Sequence, residues 1–346
     1  MQRGKFNAIT DVPGVKVGHV TLYDEAGPER ACTGVTAILP HGGNLFEEKV
    51  PAANFVLNGF GKSVGLIQVE ELGVIESPIM LTNTFSVGAV LEGALQHMLM
   101  ENNAIGDSTS SLNIVVGECN DSYLNSMREL RVRAHHAIEA IRNAEGGPLE
   151  QGAVGAGKGM ICFGRKGGIG SSSRTLTGEG GDLYTVGVLT LTNFGKTEEC
   201  RIDEWLSKNS KHHLNVGSDL KTPEEMEHEK PDGSIMIIVA TDAPVNDRQL
   251  KRLAKRASIG LARTGSTVHN GSGDIIIAFS NAYTIPHKSE DVTNSYTVLR
   301  DDTPIMNELF KAVIEATEEA VYQSMIHAQT TTGRKDRVVE RWPLVE

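Results

Sequence analysis

Short apolar runs bounded by glycine and asparagine recur along the chain, and each has the length of a buried strand. They occupy residues 35–39, 63–69, 77–81, 112–116 and 183–191. Longer stretches, at 87–100, 124–144, 248–262 and 307–328, repeat apolar residues at helical spacing. Because strands and helices are mixed and no internal repeat stands out, the pattern predicts a layered α/β or α+β domain.

One long polar segment interrupts this pattern. Residues 207–232 contain almost no apolar side chain, and such a segment inside a compact domain is usually an exposed functional loop or a linker. It ends at Gly233 and Ser234, and the next six residues, Ile-Met-Ile-Ile-Val-Ala, are typical of a central strand. We therefore predict an exposed loop over 207–233 and a buried strand directly after it.

Composition narrows the class of protein. The 346 residues are 39% hydrophobic and 22% charged, as in globular domains, and can bury one large core or two ordinary ones. The formal net charge of -11 argues against a nucleic-acid partner, which requires clustered Lys and Arg. The densest basic stretch, 248–263, is expected to be the solvated face of an amphipathic helix.

The N-terminal segment and the spacing of the cysteines indicate the cellular compartment and whether a metal site is to be expected. The N-terminus carries no apolar signal segment and no window is long enough to span a membrane, so we expect a cytoplasmic protein without a membrane partner. Four cysteines lie far apart, at positions 32, 119, 162 and 200, which predicts buried free thiols rather than a zinc site or a disulfide framework. No metal or other cofactor is expected.

A glycine-rich stretch imitates a phosphate-binding loop. Residues 152–158, GAVGAGK, fit that pattern for seven positions, but Gly159 stands where a Ser or Thr would bind magnesium. We therefore expect close backbone packing here instead of nucleotide binding.

The boundary at Gly233 and Ser234 offers a specific chemistry. A serine hydroxyl is a weak nucleophile unless a base accepts its proton. If the chain were cut before Ser234, the new α-amine, with a reference pKa of about 7.7–8.0, could be that base. Glycine before the serine tolerates strained backbone angles and leaves its carbonyl unshielded. Taken alone, however, Gly-Ser is a common dipeptide and is more simply explained as a linker that enters a strand.

The neighbouring motifs distinguish these interpretations. The segments DGSIMIIVATDAP at 232–244 and GSGDIIIAFS at 271–280 resemble the L-aminopeptidase/D-esterase and β-aminopeptidase family (DmpA-like). The opening ITDVPGVKVGH, at 9–19, is also similar to the start of that family. Further similar segments follow in the same order, at 34–40, 81–84 and 152–157, so the resemblance covers nearly the whole chain.

The resemblance implies a fold and an activity. The fold would be a four-layer αββα sandwich of the DmpA and ornithine-acetyltransferase type, superficially similar to N-terminal-nucleophile hydrolases. Residues 1–346 would form a single catalytic domain that cuts itself into 1–233 and 234–346, and the two chains would stay together, as a homotetramer of the pair. The activity would be that of an aminopeptidase or amidase that acts on small peptides, amides or esters without a cofactor.

The resemblance also assigns roles to individual residues. Ser234 matches the nucleophile, and Ser272 and Asp274 match groups that hold its hydroxyl and α-amine. Asn193 matches an oxyanion donor, and Tyr123 a tyrosine that supports the same intermediate. Each residue also has a structural interpretation: Ser272 to Asp274 as a turn before a strand, Asn193 as a turn former and Tyr123 as packing. Asn120 and Asp121 could serve as a helix N-cap.

Two other functions compete with the hydrolase. An acyltransferase of the ornithine-acetyltransferase type would share the fold and the self-cleavage, but that class has threonine where this chain has Ser234. A non-catalytic small-molecule binding protein would keep the fold and remain uncut. An intact chain after purification would favour this last possibility.

Overall fold

The computed structural model describes residues 1–178, 180–209 and 233–343. Within them the helices are α1 (Leu66–Leu72), α2 (Val87–Glu101), α3 (Ala134–Arg142), α4 (Ile202–Asn209), α5 (Asp247–Arg263) and α6 (Pro304–Ile326). The strands of the first half are β1 (Lys16–Tyr23), β2 (Cys32–Leu39), β3 (Glu48–Gly59), β4 (Val74–Ile75), β5 (Ile79–Asn83), β6 (Val115–Cys119), β7 (Ile161–Cys162) and β8 (Arg165–Lys166). The others are β9 (Ile169–Thr177), β10 (Leu183–Asn193), β11 (Ser234–Thr241), β12 (Gly273–Ser280), β13 (Ile285–Pro286), β14 (Thr331–Thr332) and β15 (Val338–Val339).

Two main sheets organise these elements. The larger has the strand order β13-β3-β12-β11-β10-β9, with β4 paired to β3, and the smaller has the order β1-β2-β5-β6. Neighbouring strands are antiparallel except for two parallel pairs, β11 with β12 and β5 with β6. The strand β11 is buried along its whole length on both faces. This explains its continuous apolar sequence, which is typical of central strands.

Three apolar cores separate four layers. One lies between α5, α6 and the outer face of the larger sheet, and includes Leu253, Val313 and Ile237. A second fills the space between the sheets, where Leu81 of β5 and Ile238 of β11 are among its members. The third lies between the smaller sheet and the helices α2 and α3. This stacking confirms the αββα sandwich predicted above.

One predicted strand is wrong. Residues 63–69 were expected to be a strand, but Leu66 begins helix α1, which runs between Gly65 (φ 84°) and Gly73 (φ 67°). Both glycines adopt the left-handed conformation that limits a helix to two turns. Ile67 is 89% exposed, so an apolar residue on the solvent face disguised the helical pattern.

The predicted helix over 124–144 is shorter in the structure. Only Ala134–Arg142 is α-helical. The chain before it is held in turns, because the backbone amide of Ser126 donates to the carbonyl oxygen of Arg30 (3.0 Å) and Leu130 adopts a φ of 46°. These tertiary contacts override the local apolar spacing.

The predicted polar loop begins later than expected. Residues 207–209 form the last turn of α4, and residues 210–232 lie outside the described residues. All four cysteines are free thiols, and Cys32, Cys119 and Cys162 are buried while Cys200 is partly so. In the described part of the chain, no helix combines the length and apolar character that a membrane span requires.

The contact between α6 and β9 provides a test of the packing. A Cβ atom on Gly170 of β9 would lie 1.9 Å from the carbonyl oxygen of Ala320 in α6, whereas one on the exposed Gly88 of α2 would meet nothing within 4 Å. We predict that Gly170→Ala lowers the free energy of unfolding by more than about 2 kcal/mol, because the helix must move off the sheet. Gly88→Ala is the matched control and should be neutral or stabilising by up to about 1 kcal/mol. Urea unfolding followed by circular dichroism measures both, and equal effects would contradict this packing.

Candidate active site

The register of the larger sheet brings the separate sequence motifs together. Ser234, the first residue of β11, is paired with Asn193, the last residue of β10. On the other side it is paired with Gly273 of β12, which stands between Ser272 and Asp274. Residues that are far apart in sequence therefore meet at one end of three adjacent strands.

The Ser234 hydroxyl lies next to the carbonyl group that precedes it. Ser234 is 4% exposed, and its Oγ donates a hydrogen bond to the carbonyl oxygen of Gly233 (2.8 Å). The backbone amide of Gly273 donates to the same oxygen (3.3 Å). A Cβ atom on Gly233 would lie 2.6 Å from the Cα atom of Phe194, so the close approach of the two strands requires glycine at this position.

Ser272 and Asp274 form a buried pair beside Ser234. The Ser272 hydroxyl donates to Oδ1 of Asp274 (2.8 Å). The second carboxyl oxygen, Oδ2, is buried and accepts no hydrogen bond from the residues that the structure describes. Burial raises the pKa of Asp274 to about 6, although the Ser272 hydrogen bond and the charge of His269 act in the opposite direction. The pair therefore offers an acceptor that is ionised at neutral pH and not yet fully used.

The side-chain amide of Asn193 is held in one orientation. Its Oδ1 accepts a hydrogen bond from the backbone amide of Ile161 (3.0 Å), and its Nδ2 donates to the carbonyl oxygen of Asn120 (2.8 Å). Because an amide nitrogen carries two hydrogens, one donor remains available. Asn193 lines the cavity described next.

A cavity of about 160 Å³ lies against this group. Its lining includes Asn193, Gly233, Ser272 and Tyr123. The guanidinium group of Arg337 lies 4.6 Å from the centre of the Tyr123 ring, and its Nη1 donates to the Tyr123 carbonyl oxygen (3.2 Å). The structure thus brings four of the five proposed catalytic residues, Ser234, Ser272, Asp274 and Asn193, to one strand end and places Tyr123 on the adjoining cavity.

Several lining residues were not predicted from the sequence. Ile161 and Lys196 line the cavity, as does His269, which forms a hydrogen bond of 2.9 Å with Oε1 of Glu199. The sequence singles out His269 by its position three residues before Ser272 but assigns it no catalytic role. Nothing in the sequence indicated Ile161, because its contribution is a backbone amide.

Two structural alternatives can be decided here. Asn120 and Asp121 do not cap a helix, since Oδ1 of Asn120 accepts a hydrogen bond from the amide of Ser122 (2.9 Å) in a turn. The glycine-rich stretch 152–158 directs its amides inward: Gly155 and Ala156 donate to threonine hydroxyl groups (2.8 and 3.1 Å). These amides are used in packing, which agrees with the expectation of close backbone contacts.

The arrangement is suited to acyl transfer. A serine hydroxyl, a carboxyl group with a raised pKa and an oriented amide donor meet beside a cavity. Together they could serve as a nucleophile, its supporting group and an oxyanion donor. The residues that carry these roles come from three strands, so their geometry is fixed by the sheet.

Comparisons with known proteins give a consistent result. The model of peptidase family S58 matches residues 7–339. The β-peptidyl aminopeptidase BapA of Sphingosinicella microcystinivorans is 38% identical over 357 residues, covering 99% of this chain and 87% of that protein.

Solved structures agree as well. The crystal structure of a protein from Pyrococcus horikoshii OT3 is 49% identical, with a TM-score of 0.87, and covers 99% of this chain and 93% of that one. The L-aminopeptidase D-Ala-esterase/amidase of Ochrobactrum anthropi is 32% identical, with a TM-score of 0.87 and coverage of 99% and 92%. That enzyme is described as a prototype for the serine aminopeptidases and as a new variant among the Ntn hydrolase fold.

The raised pKa of Asp274 leads to a prediction about stability. The folded-state pKa of about 6 exceeds the ordinary value of 3.8, so the folded protein binds more protons between about pH 4 and pH 6. The stability contributed by this group is therefore lost as the pH rises through that window. In an uncut Ser234→Ala background, we predict that Asp274→Asn raises the free energy of unfolding relative to its parent by about 2–3 kcal/mol more at pH 7.5 than at pH 4. Urea unfolding of the two proteins measures this, and a difference that is the same at both pH values would refute the assignment.

Proposed function

The chain belongs to peptidase family S58, and on this premise we propose that it is a self-processing N-terminal serine aminopeptidase or amidase. In this proposal the chain cuts itself between Gly233 and Ser234 and then releases N-terminal residues from small peptides, amides or esters. Ser234 is the nucleophile in both reactions. The observation that carries the proposal is the contact between the Ser234 hydroxyl and the Gly233 carbonyl group (2.8 Å).

Self-cleavage begins with attack by Ser234. Its Oγ adds to the carbonyl carbon of Gly233, whose oxygen is polarised by the Gly273 amide (3.3 Å). The peptide bond to the Ser234 nitrogen then breaks, the nitrogen takes the hydroxyl proton, and an ester links Gly233 to Oγ. Water hydrolyses this ester, which leaves a carboxylate on Gly233 and a free α-amine on Ser234.

The new α-amine supplies the base for substrate hydrolysis. Because its reference pKa is about 7.7–8.0, a fraction is neutral near pH 7 and can accept the hydroxyl proton while Oγ attacks the substrate carbonyl. Ser272 and Asp274 hold the hydroxyl and the amine, Asn193 donates its free Nδ2 hydrogen to the oxyanion, and Tyr123 supports the same intermediate. The leaving amine takes the proton, and water then releases the acyl group from Ser234. No step requires a metal or a cofactor.

The competing functions are less well supported. The match to a peptidase family and the named aminopeptidases favour hydrolysis over transfer of the acyl group to an amine acceptor. A binding protein without activity would not need a buried carboxyl group of raised pKa beside a serine hydroxyl.

We also propose an assembly and a compartment. The two products remain associated, because β11 lies between β10 and β12 and its backbone is paired on both sides. The family resemblance extends this to a homotetramer of the cut pair, which light scattering after gel filtration would measure. Four unpaired cysteines fit a reducing compartment such as the cytoplasm.

The proposed self-cleavage predicts two fragments of defined size. Division of the 37.3 kDa chain after residue 233 gives fragments of about 25 and 12 kDa. We expect freshly purified wild-type protein to show both fragments on a denaturing gel and by intact mass, and Ser234→Ala to remain uncut because it lacks the attacking oxygen. Ser289→Ala, which changes an exposed serine outside the cavity lining, is the control and should cut normally. An uncut wild-type chain would exclude the α-amine base, and cleavage of Ser234→Ala would place the nucleophile elsewhere.

The proposed aminopeptidase activity predicts that the substrate needs a free N-terminus. A cavity of about 160 Å³ is smaller than the sites that enclose drug-sized ligands, and it suits one terminal residue better than a chain that continues in both directions. We predict that acetylation of the N-terminus of an amino-acid p-nitroanilide lowers kcat/KM by at least about 100-fold, because the amine loses its charge. Release of p-nitroaniline measures the rate. Equal rates for free and acetylated substrates would show an amidase without a requirement for a free N-terminus.

A further inference from the structure

Lys166 is a buried cation close to the candidate active site. It has no exposed surface, and its Nζ donates hydrogen bonds to the carbonyl oxygens of Gly157 (3.0 Å), Met160 (2.7 Å) and Gly167 (2.8 Å). An ammonium group has three donors and no acceptor. All three donors are therefore used, and all three acceptors are neutral backbone groups.

Such a residue costs folding free energy. Transfer of an ammonium group from water to a protein interior is strongly unfavourable unless its partners compensate. Burial accordingly lowers the pKa of Lys166 to about 7. The three carbonyl acceptors favour the charged form, because a neutral amine has only two hydrogens to donate. An apolar residue of similar volume would avoid this cost. The presence of a lysine at this position is therefore best explained by the way its amine orients the three carbonyl groups.

One peptide unit connects Lys166 to Asn193. The carbonyl group of Met160 and the amide group of Ile161 belong to the same planar peptide bond and point in opposite directions. The carbonyl accepts from Lys166 (2.7 Å) and from the backbone amide of Gly167 (3.1 Å), and the amide of the same unit donates to Oδ1 of Asn193 (3.0 Å). The Lys166 amine, which makes the shorter of the two hydrogen bonds to this carbonyl, therefore also helps to hold the amide direction.

The direction of the Ile161 amide decides how Asn193 presents its own amide. Because Oδ1 must face the Ile161 donor, Nδ2 must face the opposite way, where it donates to the Asn120 carbonyl oxygen (2.8 Å). Without the Ile161 donor, the side-chain amide of Asn193 could rotate and exchange the positions of its oxygen and nitrogen. An oxygen in the position of Nδ2 would repel an oxyanion.

We propose that Lys166 is a positioning residue that, through the peptide unit between Met160 and Ile161, holds Asn193 in its oxyanion-donating orientation. This inference rests on the proposed role of Asn193. Lys166 contacts no reacting atom in this arrangement. Its effect on the reaction passes entirely through Asn193.

A double-mutant cycle tests the connection. Wild type, Lys166→Met, Asn193→Ala and the double variant are compared by kcat for an amino-acid p-nitroanilide, expressed per cut chain as determined by intact mass. We expect Asn193→Ala to lower kcat by about 10²–10³-fold and Lys166→Met to lower it by roughly 10–100-fold with little change in KM. In the Asn193→Ala background, Lys166→Met should change kcat by less than about 3-fold, since the connection is already lost. Lys158→Met, which removes a lysine from the same loop, is the control and should leave kcat within about 2-fold.

The outcomes separate the two proposals. If Asn193→Ala leaves kcat unchanged, the oxyanion role of Asn193 is wrong and this inference falls with it. If Asn193→Ala is harmful but the effects of the two substitutions multiply, Asn193 keeps its role and Lys166 is not its positioning residue.

A second measurement uses the uncut chain and can be made even if Lys166→Met does not fold. Crystal structures of Ser234→Ala with Lys166→Met or, if that chain does not fold, with Lys166→Gln would show the Asn193 side chain directly. We expect the peptide unit to rotate and the hydrogen bond from Ile161 to Asn193 to be lost. Retention of that bond in a folded variant would overturn the proposal.

Discussion

The site depends on the position of one strand in the larger sheet. Strand β11 lies between β10 and β12, so Ser234 is paired with Asn193 on one side and with Gly273 on the other. A shift of one residue in either pairing would turn every side chain of β11 to the opposite face and break both cores. The burial of the strand therefore specifies the same register that assembles the site.

The same pairing explains how a cut at the start of this strand could leave the fold intact. The strand is antiparallel to β10 and parallel to β12 over all eight of its residues, and its side chains belong to both cores of the larger sheet. Its attachment comes from ladder hydrogen bonds and buried apolar area, and not from the covalent bond to Gly233. Cleavage in the proposed mechanism removes a connection that the packing does not need.

The sequence could predict what depends on local patterns. The run after Ser234 indicated a buried strand, and the serine and aspartate after Gly271 suited a turn that enters a strand, as the structure has them. It could not predict features that depend on contacts between distant segments. The turns at 121–130 are held by Arg30, and Ile161 contributes only a backbone amide, which any residue but proline would carry. The strand prediction at 63–69 was wrong because it took every apolar residue to be buried, whereas Ile67 is exposed on helix α1.

Several buried polar groups whose burial costs folding free energy lie around the site. Asp274 keeps a buried carboxyl oxygen without a partner among the described residues, and Lys166 keeps a buried ammonium group on neutral carbonyls. Asp121, adjacent to Asn120, is also fully buried, and its pKa is raised to about 7 by desolvation. Residues chosen for stability alone would be apolar at these positions. Their connection to Asn193 and Ser234 through hydrogen bonds and strand pairing is better explained by chemistry, since desolvated polar groups that are already oriented interact strongly with charge that develops during a reaction.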